Sequence, residues 1–248
     1  MATRCGACVH VRVLAPSMKL RERVTTDGYS ILPPILAAEE LDRLEAVVGA
    51  VMRSDKGGAR NLLQVPEVTA LAAHGLAPLV SAVLGPHATA VRAIIFDKTP
   101  HSNWRVAWHQ DLAIALKAQR DVPGFGPWSV KAGVVHSLAP QAILERMIAV
   151  RLHLDECGTD NGPVKVLPGT HLQGRIPEGD IATWHQTITP VTCCLERGGV
   201  LIMRPLLLHS SSPAQKPGHR RVLHIEYAAT ELPGGLEWQW RLPLKGAA

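Results

Sequence analysis

Trp104-Arg105-Val106-Ala107-Trp108-His109-Gln110-Asp111 reads as a short alternating strand that ends in a histidine and a carboxylate two residues apart. On extended chain, residues i and i+2 point to the same side, so His109 and Asp111 face one common point. A second histidine lies far downstream in Leu207-Leu208-His209-Ser210-Ser211, after the apolar run 199–203, which itself reads as a strand. Two imidazoles and one carboxylate fill one face of an octahedron, the ligand set of a non-haem Fe(II) site with open positions. His-x-Asp alone carries little: twelve histidines in 248 residues produce it by chance, and an imidazole beside a carboxylate is commonly an ordinary hydrogen-bonded pair. The placement of both histidines at strand ends favours ligands. His153-Leu154-Asp155 is a second His-x-Asp on a predicted strand.

Outward from this stretch, strands are predicted over residues 90–97, 104–108, 143–154, 164–167, 187–195, 200–203 and 222–228. Ahead of them, residues 37–53 read as an amphipathic helix, with Leu41, Leu44, Val47, Val48 and Val51 on one face, expected to pack outside the sheets. Residues 68–84 read as one or two short helices interrupted near Pro78, and Gly57-Gly58-Ala59-Arg60-Asn61 as a flexible turn. Between Asp111 and Ile143 lies an insertion whose stretch 123–131, Pro-Gly-Phe-Gly-Pro-Trp-Ser-Val-Lys, has the composition of a loop and is expected to form a wall or lid. Helices followed by many strands imply a mainly β fold with flanking helices.

The chain is 46% hydrophobic, long enough for one large core, and residues 18–248 are expected to form a single domain. Residues 1–17 are expected to be a disordered extension; Cys5, Cys8 and His10 offer too few ligands for structural zinc. The five cysteines are odd in number and include the adjacent pair Cys193-Cys194, with no secretory segment, which argues against a disulfide framework and suggests the cytoplasm. No run approaches the roughly 18 apolar residues that span a bilayer. The net charge is +5, but the basic residues are dispersed without a stripe or an aromatic platform, so a nucleic acid or membrane partner is not expected.

Trp108-His109-Gln110-Asp111, Arg151-Leu152-His153-Leu154-Asp155, the run from Asn161-Gly162-Pro163 to Pro168-Gly169-Thr170-His171, and His209-Ser210-Ser211 with Arg220-Arg221 together resemble the phytanoyl-CoA dioxygenase family of Fe(II)- and 2-oxoglutarate-dependent oxygenases. The resemblance covers roughly residues 27–229. It implies a double-stranded β-helix, or jelly-roll, with Fe(II) held at its mouth by His109, Asp111 and His209. It further implies 2-oxoglutarate and dioxygen as co-substrates, and hydroxylation or a related oxidation of a small molecule with release of succinate and CO2. Halogenating relatives carry a small residue where Asp111 stands, so Asp111 points to hydroxylase chemistry.

Arg220 stands eleven residues after His209, the family spacing for the guanidinium that receives the far carboxylate of 2-oxoglutarate; Arg221 is its competitor. Choosing Arg220 turns Val222, His224 and Glu226 inward and Leu223, Ile225 and Tyr227 outward. Ser211, Lys98 and Trp128 are further candidates on the co-substrate side, and Arg60, Asn61, Arg105 and Lys131 are candidates for an acidic handle on the substrate. His153 and His224 are expected to be structural or exposed, and Asn161-Gly162-Pro163 a plain turn. Two other readings use the same residues: a hydrolase with zinc in the site, and a noncatalytic jelly-roll that binds a ligand.

Overall fold

The computed structural model describes residues 17–52 and 57–246. The expected tail at 1–17 lies outside them except for Ser17. The chain opens with α1 (Ser17–Thr26), β1 (Tyr29–Leu32), α2 (Ala38–Val51) and β2 (Gly58–Ala59). Then come α3 (Pro66–Ala70), a π-helical turn (Leu71–Gly75), α4 (Ala77–Leu84), β3 (Thr89–Asp97) and β4 (Val106–His109). The insertion holds β5 (Ala113–Leu116), β6 (Trp128–Lys131) and β7 (Val134–Leu138), followed by α5 (Gln141–Leu144), β8 (Met147–His153) and β9 (Val164–Val166). The chain continues through α6 (Ile181–Thr187), β10 (Val191–Cys193), β11 (Val200–Met203), β12 (His209–Ser211), β13 (Arg221–Ala228) and β14 (Leu242–Pro243).

These strands form a major antiparallel sheet ordered β1-β11-β8-β13-β3-β14, with β2 also on β3, and a minor sheet ordered β10-β9-β12-β4. The arrangement is a mainly β, cupin-like jelly-roll with helices. Outward residues of the major sheet, among them Ile95, Val150, Leu152, Leu223, Ile225 and Tyr227, join Val24, Leu44, Val48, Leu71 and Val80 of the helices in one core. A smaller apolar core, with Ala149, Val164, Val166, Leu201 and Met203, closes one end of the space between the sheets. Each side chain's face follows from strand alternation, so the helices take the apolar face and leave the other for the lumen.

The differences from the sequence reading have local causes. The stretch 24–29 resembles an opening strand, but the strand begins only at Tyr29: Leu20 and Val24, four apart, bury one face of α1 while Lys19, Arg21 and Arg23 stay exposed. The strand expected over 143–154 starts only at β8, because the chain first makes α5 after Pro140. In 187–195 the first residue ends α6 and the strand is confined to β10. The loop expected at 123–131 ends in a strand. β6 and β7 form a hairpin turned by Ala132 and Gly133, both at positive φ (50° and 77°), and β5 completes a third sheet. Among the described residues no single helix is long and apolar enough to cross a membrane. The bent pair Pro66–Gly75 and Ala77–Leu84 reaches that length only jointly, and Val68, Leu71, Leu76 and Val80 within it are buried.

Candidate metal centre

β12 pairs with β4 so that His209 and His109 are direct cross-strand partners. Their ring centroids lie 4.2 Å apart, tilted by 48°. Asp111 follows on the loop just past β4, its N–H donating to the Pro205 carbonyl at 2.8 Å. One Asp111 carboxylate oxygen is 3.6 Å from His109 Nε2 and the other 3.6 Å from His209 Nε2. One ligand atom from each of the three residues falls within 4.8 Å of the others, the only such group among the described residues. The second His-x-Asp, His153 and Asp155, does not form one: Asp155 is taken by Arg221.

Both imidazoles are pinned from behind. His109 Nδ1 donates to the Ala107 carbonyl and His209 Nδ1 to the Leu207 carbonyl, each at 2.9 Å, which leaves both Nε2 lone pairs aimed at the common point. Burial pushes His209 down to about 4, so it stands neutral and ready to ligate. Burial works to raise Asp111, but His209 and His109 outweigh it and hold the carboxyl well below its usual range. Gln110, between the two β4-side ligands, is buried and donates to the Gly174 and Leu206 carbonyls while accepting from the Ile176 N–H. It clamps the ligand loop to two other segments.

The lumen below this group is cationic. Lys98 and Arg220 pair through their backbones, which extends the β3–β13 ladder by one rung and turns Arg220, Val222, His224 and Glu226 inward. Lys98 Nζ donates to Ser211 Oγ at 2.7 Å, and Arg220 donates to the Gly162 carbonyl and lies 3.5 Å from the same hydroxyl. Burial, then the neighbouring Arg220, bring the Lys98 ammonium down to about 8. Arg221 points the other way, bonded to Asp155 and Glu45. Among the described residues no carboxylate pairs with Lys98 or the Arg220 guanidinium, and Arg220 Nε has no hydrogen-bond partner. Buried cations without counter-charges fit an anionic ligand, and a planar fork fits a carboxylate.

Other sequence-derived candidates scatter. Trp128 sits on β6 against the satellite cluster that includes Leu112, Ile114 and Leu144, away from the Lys98–Arg220 rung. Arg60 and Asn61 both border a small cavity of about 10 Å³ with Arg92, His136 and Trp240, and Arg60 also borders a cleft of about 350 Å³ with Phe96, Ser102 and Trp104. Arg105 and Lys131 are exposed and line neither.

His224 and Glu226 are buried and face the lumen, as the choice of Arg220 implied, but neither they nor Arg151 and His153, also buried and lumen-facing, were singled out as site residues, and the Gly162 carbonyl takes part in the cation cluster. A signal was present: Arg-x-His and His-x-Glu place polar residues at alternate positions of otherwise apolar strands.

A sequence profile of the phytanoyl-CoA dioxygenase (PhyH) family matches residues 24–222. No curated protein sequence matches. Among solved structures, EctD from S. alaskensis with bound Fe is similar at 21% identity, over 99% of this chain and 90% of that one, with a TM-score of 0.67. AviO1 from Streptomyces viridochromogenes Tue57 is 21% identical, over 90% of this chain and 99% of that one, with a TM-score of 0.65. The epimerase SnoN in complex with Fe3+, alpha ketoglutarate and nogalamycin RO is 18% identical, over 93% and 96%, with a TM-score of 0.64. At such identities these structures establish the jelly-roll fold.

Proposed function

The chain belongs to the phytanoyl-CoA dioxygenase family, and from that premise we propose that His109, Asp111 and His209 hold its ferrous ion while Arg220 receives the far carboxylate of 2-oxoglutarate. It is an Fe(II)- and 2-oxoglutarate-dependent dioxygenase acting on a small molecule. The observation that carries the residue assignment is the convergence of three ligand atoms above a buried cluster of cations without carboxylates. Iron with 2-oxoglutarate and dioxygen supplies the power to oxidise an unactivated carbon, leaving succinate and CO2.

The protein's own residues hold, orient and exclude. The Nδ1–H bonds of His109 and His209 fix the tautomer that presents Nε2, and Asp111 needs no deprotonation before it ligates. Ser211, shared by Lys98 and Arg220, supplies a hydroxyl to the same carboxylate. The substrate enters the cleft bounded by Phe96 and Trp104 and is an anion met by Arg60 and Asn61. Residues 18–248 work as one oxygenase domain in the cytoplasm. A hydrolase using the same ligands has no use for the cation cluster.

Anaerobic titration tests this. Fe(II) followed by 2-oxoglutarate is expected to develop a weak visible charge-transfer band that His209→Ala abolishes. Wild-type protein that binds Fe(II) yet develops no such band would sink the assignment.

A further inference from the structure

Arg151 is the lumen's remaining cation without a counter-charge. It sits on β8 between Ala149 and His153, inward-facing and 7% exposed, and pairs across the ladder with His224. One nitrogen of its fork donates to His224 Nδ1 at 3.0 Å, and its carbon lies 5.7 Å from the Phe96 ring centre. Accepting at Nδ1 requires that His224 carry its proton on Nε2, which faces Glu226 at 3.1 Å; Glu226 in turn accepts from Arg92. The chain Arg92–Glu226–His224 therefore fixes the plane of the Arg151 fork. Its Nε has no partner among the described residues.

We propose that Arg151 is a second co-substrate residue, binding the carboxylate of the 2-oxo acid head while Arg220 binds the far one. Position along the barrel supports the division. Arg220 shares its rung with Lys98, and His224, the partner of Arg151, stands four residues further along β13, toward the mouth. At about 3.3 Å per residue, that offset is roughly 13 Å between backbones, and on this proposal the two long side chains reach toward each other to hold the two ends of a five-carbon diacid. Arg151 is close enough to Asp111 for the carboxylate's charge to act on it, and burial followed by repulsion from Arg220 brings it down to about 10. Lys98 and Arg220 together face the far carboxylate, and Arg151 is the buried guanidinium left to meet the carboxylate of the head.

This rests on the oxygenase reading, and the experiment separates the two. Anaerobic Fe(II) protein is titrated with 2-oxoglutarate and with 2-oxopentanoate, which keeps the oxo-acid head and lacks the far carboxylate. Arg151→Gln is expected to weaken both acids by the same factor, roughly ten- to a hundredfold, the range of a lost charge-assisted bond. Fe(II) affinity measured without oxo acid stays within about threefold, as expected for a change outside the ligand set. Arg220→Gln weakens 2-oxoglutarate but leaves 2-oxopentanoate nearly unchanged. Arg151→Lys keeps the charge without the fork and falls between wild type and Arg151→Gln, and it replaces the glutamine variant if that one fails to melt cooperatively. The proposal falls if either Arg151 variant binds 2-oxoglutarate within twofold of wild type, or if only 2-oxoglutarate weakens. Wild type that chelates neither acid overturns the oxygenase reading and this proposal together, whereas normal wild-type chelation with an unaffected variant overturns this proposal alone.

Discussion

Two adjacent arginines on one strand give the sharpest test of the strand's facing. Arg220 is 3% exposed and directed into the lumen, while Arg221 is bonded to Asp155 and Glu45 on the helix side. Arg220→Gln removes one partner of a buried charged contact, a loss of about 3 kcal/mol, so the Kd for 2-oxoglutarate is expected to rise roughly 150-fold. Arg221→Gln breaks two ion pairs at a side chain 17% exposed, which lies between the surface and buried limits and costs about 2 kcal/mol of stability. For a chain of this size that lowers Tm by about 4–8 °C. Calorimetric titration of 2-oxoglutarate into anaerobic Mn(II)-loaded protein reads the first effect, and thermal melts of the metal-free protein read the second. A register shifted by one residue exchanges the two phenotypes. If Arg221→Gln weakens the co-substrate as much as Arg220→Gln does, the facing of β13 argued above is wrong.

Stability should depend on pH through His153. Burial, then Arg151 and Arg220, push it down to about 3, so between about 3 and 6.5 the unfolded chain holds a proton on this histidine that the folded chain lacks. Stability therefore rises with pH across that window, by about 1.4 kcal/mol per unit from this residue. Urea unfolding at pH 5.0 and 6.5 should show wild type gaining about 1.6 kcal/mol more than His153→Leu, and equal gains would refute the buried neutral imidazole. Gln110→Leu strands one N–H and two carbonyls in a buried place, an expected cost of about 3 kcal/mol, with weaker Fe(II) binding because the ligand loop loses its clamp. A melt unchanged from wild type would show that Gln110 does not hold the loop.

What the sequence made legible was local and chemical. Strand alternation put His109 and Asp111 on one face, and the apolar run ahead of His209 brought the second imidazole beside them. It also turned Arg220 inward, although β13 then carries its polar residues in the interior, contrary to the usual pattern. What stayed hidden depended on neighbours. The β6–β7 hairpin turns on Ala132 and Gly133, and alanine at positive φ carries no turn signal, so a strand beside it read as loop. Asn161-Gly162-Pro163 read as a plain turn because nothing in sequence marks a backbone carbonyl as the acceptor for Arg220. Arg151 and His153 were read as parts of a motif, and only the fold places them in the same lumen as Lys98 and Arg220.

An apolar outer face and a charged inner face on β8 and β13 are two consequences of one arrangement. Helices α1 to α4 cover Val150, Leu152, Leu223 and Ile225, so the alternate residues, Arg151, His153, His224 and Glu226, are enclosed by the opposite sheet rather than by water. Glu226 has Arg92, but Arg151, Lys98 and Arg220 have no carboxylate among the described residues. Their desolvation therefore weighs against the ligand-free fold. A dianion entering that space removes the penalty and gains charge-assisted bonds, whereas an uncharged ligand of the same size does neither. Affinity for the co-substrate and stability of the barrel are on this account one quantity seen from two sides, linked by the same buried charges.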